Sequence, residues 1–209
     1  MSEQKNLLNA RRAREENNSE DAKRFYDMVR TEDPDNGEAK FFYQYYALYE
    51  GKNGEIPTRF KNLTNTLISS VECVARSNDG DKLEVLKAIV NAYIPMTWSL
   101  NRYMNNLTVG TGSDRQRVLS SAEISGACVR GVTALYKLGD TIVSLFGDNG
   151  EAMNLAISAW KEAITLNQKW YAYKYEGYVA EDYAAKIQKV EPTYEMPKKA
   201  GCISFADKR

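Results

Sequence analysis

The chain has 209 residues, 43% of them hydrophobic and 27% charged, with 28 Lys plus Arg against 28 Asp plus Glu. That is ordinary globular make-up with core enough for one large domain, and the even charge balance argues against nucleic acid or anionic membrane as a partner. There is no histidine, which removes Cys/His zinc sites, Ser–His and Cys–His nucleophile pairs and Glu-x-x-His di-iron ligands together.

Residues 3–17 read as a first helix with a thin apolar line at Leu7, Ala10 and Ala13, closed by Asn17-Asn18. Ser19 is read as the N-cap of the second helix, with Glu20 and Asp21 in its first turn favouring the helix dipole. Asp33-Pro34-Asp35-Asn36 then breaks the chain. Within the second helix Ala22, Tyr26 and Val29 recur at helical spacing before Pro34, and Ala156, Trp160, Ala163 and Gln168 repeat those offsets. A small residue, an aromatic four later and a small or branched residue three later suit a short helix held between two neighbours. The third helix starts near Gly37 and carries F-F-Y-Q-Y-Y-A-L-Y, six aromatics in nine positions, which predicts a central place in the fold.

Pro57 suits a first helical turn, and over residues 57–76 Phe60, Leu63, Leu67, Ile68, Val71 and Val74 form an amphipathic stripe. Residues 82–108 read as one long helix with Leu83, Leu86, Ile89, Val90, Tyr93 and Ile94 on the core side, kinked at Pro95. Trp98, Tyr103 and Leu107 continue that stripe. Residues 109–114 are loop-like and mark a candidate seam inside a single domain of residues 1–190. From Asp114 to Phe146 a seam of small residues, Ala122, Gly126, Ala127, Gly131 and Ala134, predicts a close helix crossing, because interior glycine otherwise costs about 1 kcal/mol. The second copy of the opening pattern follows, then a last helix over residues 169–189 and an irregular tail over 191–209. No strand pattern stands out, and the fold class read is all-α, about eight antiparallel helices joined by short connections.

The repeated small–aromatic–small pattern resembles the second helix of a tetratricopeptide repeat, a helix-turn-helix unit of about 34 residues. Ala10, Ala13, Ala22, Tyr26, Pro34 and Ala39 fit that register, as do Ala156, Trp160 and Ala163. The first-helix tryptophan and Leu-Gly are missing, Val29 and Gln168 replace an alanine and a proline, and residues 57–147 fit no repeat. The resemblance implies repeat-like hairpins at both ends around an irregular middle of longer helices. L-L-N-A-R-R-A-R-E-E-N-N-S-E-D-A-K-R-F-Y-D, with P-K-K-A-G-C near the end, is also similar to an uncharacterised group of bacterial repeat-like proteins. Members often carry an N-terminal zinc ribbon, which this sequence lacks, and no activity comes with the resemblance.

Two aromatic sets are partner-binding candidates: Phe42, Tyr45, Tyr46 and Tyr49 on the third helix, and Trp170, Tyr173 and Tyr178 near the end. Either could line a groove for a protein or peptide, or simply fill the core. Arg11, Arg12, Arg14, Lys23 and Arg24, interleaved with Glu15, Glu16, Glu20 and Asp21, read as a salt-bridged solvent face. For catalysis there are only Glu176, Glu181 and Asp182, and Cys202 without a base; Gly110-Thr111-Gly112-Ser113 lacks the lysine and strand of a phosphate loop. The three cysteines, Cys73, Cys128 and Cys202, read as reduced thiols, two of them buried. No catalytic residue, cofactor or metal site is expected. No apolar run suits a signal peptide or membrane span, so a cytoplasmic location is expected. The functional expectation is a non-catalytic scaffold that binds a protein or peptide. Its alternatives are a small-molecule sensor or enzyme with a pocket near Pro95 and Trp98, and a structural homo-oligomer.

Overall fold

The computed structural model describes residues 2–50, 55–78, 80–108, 114–170 and 178–198, with side chains other than those of 2–3, 103–108, 114–125 and 170. Among the described residues all regular structure is helical: α1 (Ser2–Glu15), α2 (Ser19–Glu32), α3 (Gly37–Tyr49), α4 (Ile56–Arg76), α5 (Lys82–Thr108), α6 (Asp114–Phe146), α7 (Gly150–Trp170) and α8 (Ala180–Gln188). The fold is all-α, built of packed helical hairpins.

Local chemistry sets most of the boundaries. At the end of α1, Asn17 takes a left-handed φ of 56°. The Asn18 N–H then donates to the Ala13 carbonyl and the Asn17 N–H to that of Arg14, the paired closure of a Schellman motif. The N-cap of α2 is Asn18 rather than Ser19, its side chain accepting from the Asp21 N–H at 3.2 Å. Asn36 caps α3 through the Ala39 N–H, and Asn149 caps α7 through the N–H groups of Glu151 and Ala152. An asparagine oxygen is as good a cap as a serine, and three helices use it. Pro57 sits in the first turn of α4 as expected. The last helix differs from expectation. Lys169 and Trp170 still belong to α7, and α8 starts only at Ala180. Gln168, which replaces the repeat's proline, keeps its N–H, so α7 runs on through it.

Packing follows chain order at first: α2 lies on α1 and α3, and α3 on α4. Then α4 passes over α5 to pack on α6, while α5 leans on α6 and α7, and α8 closes against α7. Both copies of the opening pattern face the core. Ala22, Tyr26 and Val29 are buried on α2, as are Ala156, Trp160 and Ala163 on α7. The crossing predicted on α6 is real at Gly131, where a Cβ would stand 3.0 Å from the Phe60 ring of α4 and 3.2 Å from Thr97 of α5. At Gly126 such an atom would meet only Arg130 of its own helix, and the side chain of Ala122 lies outside those described. The closest approach on α6 is at Gly139, where a Cβ would come within 2.5 Å of Trp160 Cδ1.

Pro95 interrupts the hydrogen-bond ladder of α5 but not the helix, which runs unbroken to Thr108. Pro95 is exposed, as is Asn91, whose carbonyl loses its donor, so water can replace the lost bond. Cys73 and Cys128 are buried, and Cys202 lies outside the described residues. The tail has no regular structure over 191–198, yet it is attached. Tyr194 and Met196 pack on the core edge, and Lys161 pairs with Glu191 at 2.5 Å.

Candidate functional site

Helix α3 is the element on which the candidate residues converge. Its first turn carries Glu38, a carboxylate only 3% exposed. Four donors meet its two oxygens. Arg11 Nε and Nη2 donate to Oε2 at 2.9 and 2.6 Å, and Arg14 Nη1 and the Tyr26 hydroxyl donate to Oε1 at 3.0 and 2.9 Å. Arg11 also reaches Asp81 before α5 at 2.6 Å, and the Arg14 guanidinium lies 4.5 Å from the Phe42 ring centroid. Burial works against the charge on Arg11, but Glu38 and Asp81 outweigh it and hold the guanidinium pKa above its usual range. Burial, then the charge of Glu38, pushes the Tyr26 phenol well above its ordinary value.

This corrects the reading of the basic cluster. Arg12 and Arg24 do lie in a solvent face, paired with Glu16 at 3.6 Å and Asp21 at 2.8 Å. Arg11 and Arg14 instead turn inward and tie α1 to α3. Leu7, Arg11 and Arg14 share one helical stripe at intervals of four and three, the sequence signal that could have shown it. The knot stands beside a cleft of about 250 Å³ between α1, the start of α3, the end of α4 and the start of α5. Its wall includes Leu7, Val74, Cys73 and Arg76, and Arg76 donates to the Cys73 sulfur at 3.4 Å.

Of the aromatic candidates on α3, two are not surface. Phe42 is 2% exposed and Tyr46 7%. Phe42 stacks on Tyr26 at 5.3 Å and stands edge-on to Phe41 at 5.1 Å. Burial raises the Tyr46 phenol to about 12. A partner could touch neither without unpacking the core, so both are structural. Tyr45 and Tyr49 behave differently. Tyr45 is half-buried against Phe41 and Tyr46, and Tyr49 is 59% exposed. Their rings meet edge to face at 5.5 Å, with the hydroxyls 3.2 Å apart. Partial burial and then the hydrogen bond with Tyr45 push the Tyr49 phenol up, which keeps it a neutral donor and acceptor.

The second aromatic set is not brought to the first. The side chain of Trp170 and all of Tyr173 lie outside what is described. Tyr178 stacks on Tyr136 at 5.4 Å and on Tyr183 at 6.0 Å, with Tyr183 also against Trp160. Asp140 of α6 accepts from the Tyr183 hydroxyl at 2.6 Å and from Lys186 at 2.9 Å, which fastens α8 to α6. Tyr178 thus sits at the edge of a core cluster. Tyr136, at the centre of that cluster, carried no sequence signal beyond an apolar phase.

Near Pro95 the Trp98 indole is engaged: its N–H donates to Glu162 at 2.6 Å, and Lys169 lies 5.3 Å from the ring centroid. Glu181 and Asp182 are exposed in the first turn of α8, while Glu176, Cys202 and residues 110–113 lie outside the described residues. Among the described residues no three Cys, Asp or Glu side chains are grouped to hold a metal ion, and no helix is long and apolar enough to cross a membrane. No family model, curated protein or solved structure matches the chain.

Proposed function

We propose that the chain is a non-catalytic, cytoplasmic helical scaffold of the tetratricopeptide-like kind that binds a protein or peptide segment along the Tyr45–Tyr49 edge of α3. The observation that carries this reading is the split of the α3 aromatics. Phe41, Phe42 and Tyr46 are consumed by the core, whereas Tyr49 holds a large ring 59% exposed beside half-buried Tyr45. Core packing explains the first group and the inner side of Tyr45, and leaves the exposed ring of Tyr49 without a packing reason. Rings held on a rigid helix with their hydroxyls in reach suit a peptide, since Tyr offers contact area at low entropic cost and a polar handle.

The test is selection of binders from a displayed random-peptide library, repeated with a Y45S/Y49S variant whose melting temperature matches wild type. Peptides enriched on the wild-type protein should be lost on the variant. If the enriched peptides bind both equally, the Tyr45–Tyr49 edge is not the site. Light scattering on the same pair separates a self-interface: a wild-type oligomer that falls to monomer in the variant would make the second copy the occupant.

A further inference from the structure

We propose that a second site, on the other flank of α3, binds a phosphoryl group. A cleft of about 440 Å³ lies between the end of α2, the middle of α3 and α4, lined by Arg30, Thr31, Pro34, Lys40, Gln44 and Thr66. It is distinct from the tyrosine edge. At about 100° per residue, Lys40 and Gln44 share one helix face and Tyr45 and Tyr49 fall nearly opposite. The inference does not depend on the peptide-binding reading.

The charge of the cleft is carried by Lys40, since Arg30 is paired with Asp27. Two of its six lining residues are cations and none is a carboxylate, in a chain whose charges balance. Lys40 and Gln44 have no hydrogen-bond or ion-pair partner among the described residues, so an ammonium and an amide remain to donate. Arg30 is held in one pose. Its Nη2 bonds Asp27 at 2.6 Å and its guanidinium lies 4.0 Å from the Tyr43 ring centroid. Its Nε is sealed from solvent with no partner among the described residues, and a buried N–H on a charged group without an acceptor is costly. That nitrogen is closed to a ligand as it is to water, so what Arg30 offers the cleft is the outer part of a guanidinium whose side chain is 39% exposed.

The hydroxyls in the cleft narrow the chemistry. Thr31 donates to the Asp27 carbonyl at 2.8 Å and Thr66 to the Leu63 carbonyl at 2.9 Å, so neither proton is free. Donation to a ligand therefore falls to three separate groups, Arg30, Lys40 and Gln44. Three donors carried by two helices match the three terminal oxygens of a tetrahedral phosphate better than the two oxygens of a carboxylate. The cleft has room for more than a bare phosphate, so a phosphate monoester fits as well as the free ion.

Calorimetric titration of the full chain at low ionic strength tests this, with inorganic phosphate and with O-phosphoserine as probes and acetate as the carboxylate control. Saturable one-to-one binding with Kd at or below about 1 mM is expected for a phosphate probe. Lys40→Gln and Arg30→Lys should each weaken it about tenfold or more, because each removes a charge-assisted bond. Lys40 has no side-chain partner among the described residues to lose, so its variant tests the site even where Arg30→Lys disturbs the fold. Tighter binding of O-phosphoserine identifies an ester as the ligand, and equal binding identifies the free anion; both support the site. No saturable binding of either phosphate probe, equal binding of acetate, or unchanged affinity in Lys40→Gln overturns it.

Discussion

Replacing Glu38 by Gln keeps the shape of the side chain and removes its charge. Four donors converge on two carboxylate oxygens, at distances from 2.6 to 3.0 Å. The amide keeps one acceptor and turns the other position into a donor, so it opposes either the Arg11 fork or the Arg14–Tyr26 pair. Removing one partner of a fully buried ion pair costs about 3–5 kcal/mol. Here the arginine side chains keep 27% and 25% exposure and Arg11 keeps Asp81, so water and that aspartate recover part of the loss. The expected net cost is about 3 kcal/mol, or roughly 6–12 °C in melting temperature for a chain of this size. Equilibrium urea denaturation should show a lower midpoint with the slope unchanged. Tyr26→Phe removes one neutral donor from the same carboxylate and, because the acceptor is charged, should cost about 1.5–3 kcal/mol. The double variant should be less destabilised than the sum of the two, since both act on one network. If Glu38→Gln lies within about 0.5 kcal/mol of wild type, the shift expected of an ordinary surface change, the arginines are solvated and the buried knot does not hold α1 to α3.

Gly139→Ala should destabilise despite the better helix propensity of alanine, because its Cβ would come within 2.5 Å of Trp160 Cδ1. Overpacking of about 1–3 kcal/mol outweighs a gain of about 1 kcal/mol; a raised melting temperature would refute the packing. Pro95→Ala should stabilise by about 1–3 kcal/mol, since it restores a donor and removes a ring from an exposed helix interior. A fall in melting temperature would show that the hydrogen bond missing at Pro95 is needed for α5 to reach α6 and α7. At alkaline pH the buried tyrosines should weaken the fold. Burial raises the phenols of Tyr26, Tyr93 and Tyr183, and those of Tyr46 and Tyr136 to about 12. The folded state then keeps protons that the unfolded chain releases near pH 10. Stability is therefore intact below about pH 10 and falls by up to about 1.4 kcal/mol per pH unit for each such tyrosine as pH rises toward the folded values. Absorbance at 295 nm should show fewer than the 14 tyrosines ionising in the folded protein at pH 11; a single native transition near pH 10 covering all of them would refute it.

Periodicity alone determined the all-α fold, the extents of α2 to α6 to within a residue or so, and the burial of both Ala–aromatic–small patterns. These are local properties: an apolar stripe, a proline or a glycine acts through the few residues around it, wherever the helix ends up. The same locality hid that α7 runs on through Gln168 to Trp170, because nothing local marks the end of the helix once the proline is missing. Tertiary structure decided the rest. Arg11 and Arg14 look like solvent-facing charges until Glu38, from a different helix, arrives between them. Phe42 and Tyr49 are both aromatics on one helix, and only the neighbours α2, α4 and α5 determine that one is sealed and the other open. The cleft at Arg30, Lys40 and Thr66 exists only because three helices meet there. A side chain's chemistry is written in the chain, but its solvent exposure and its partner come from segments distant in sequence, and those two properties separate a core residue from a site.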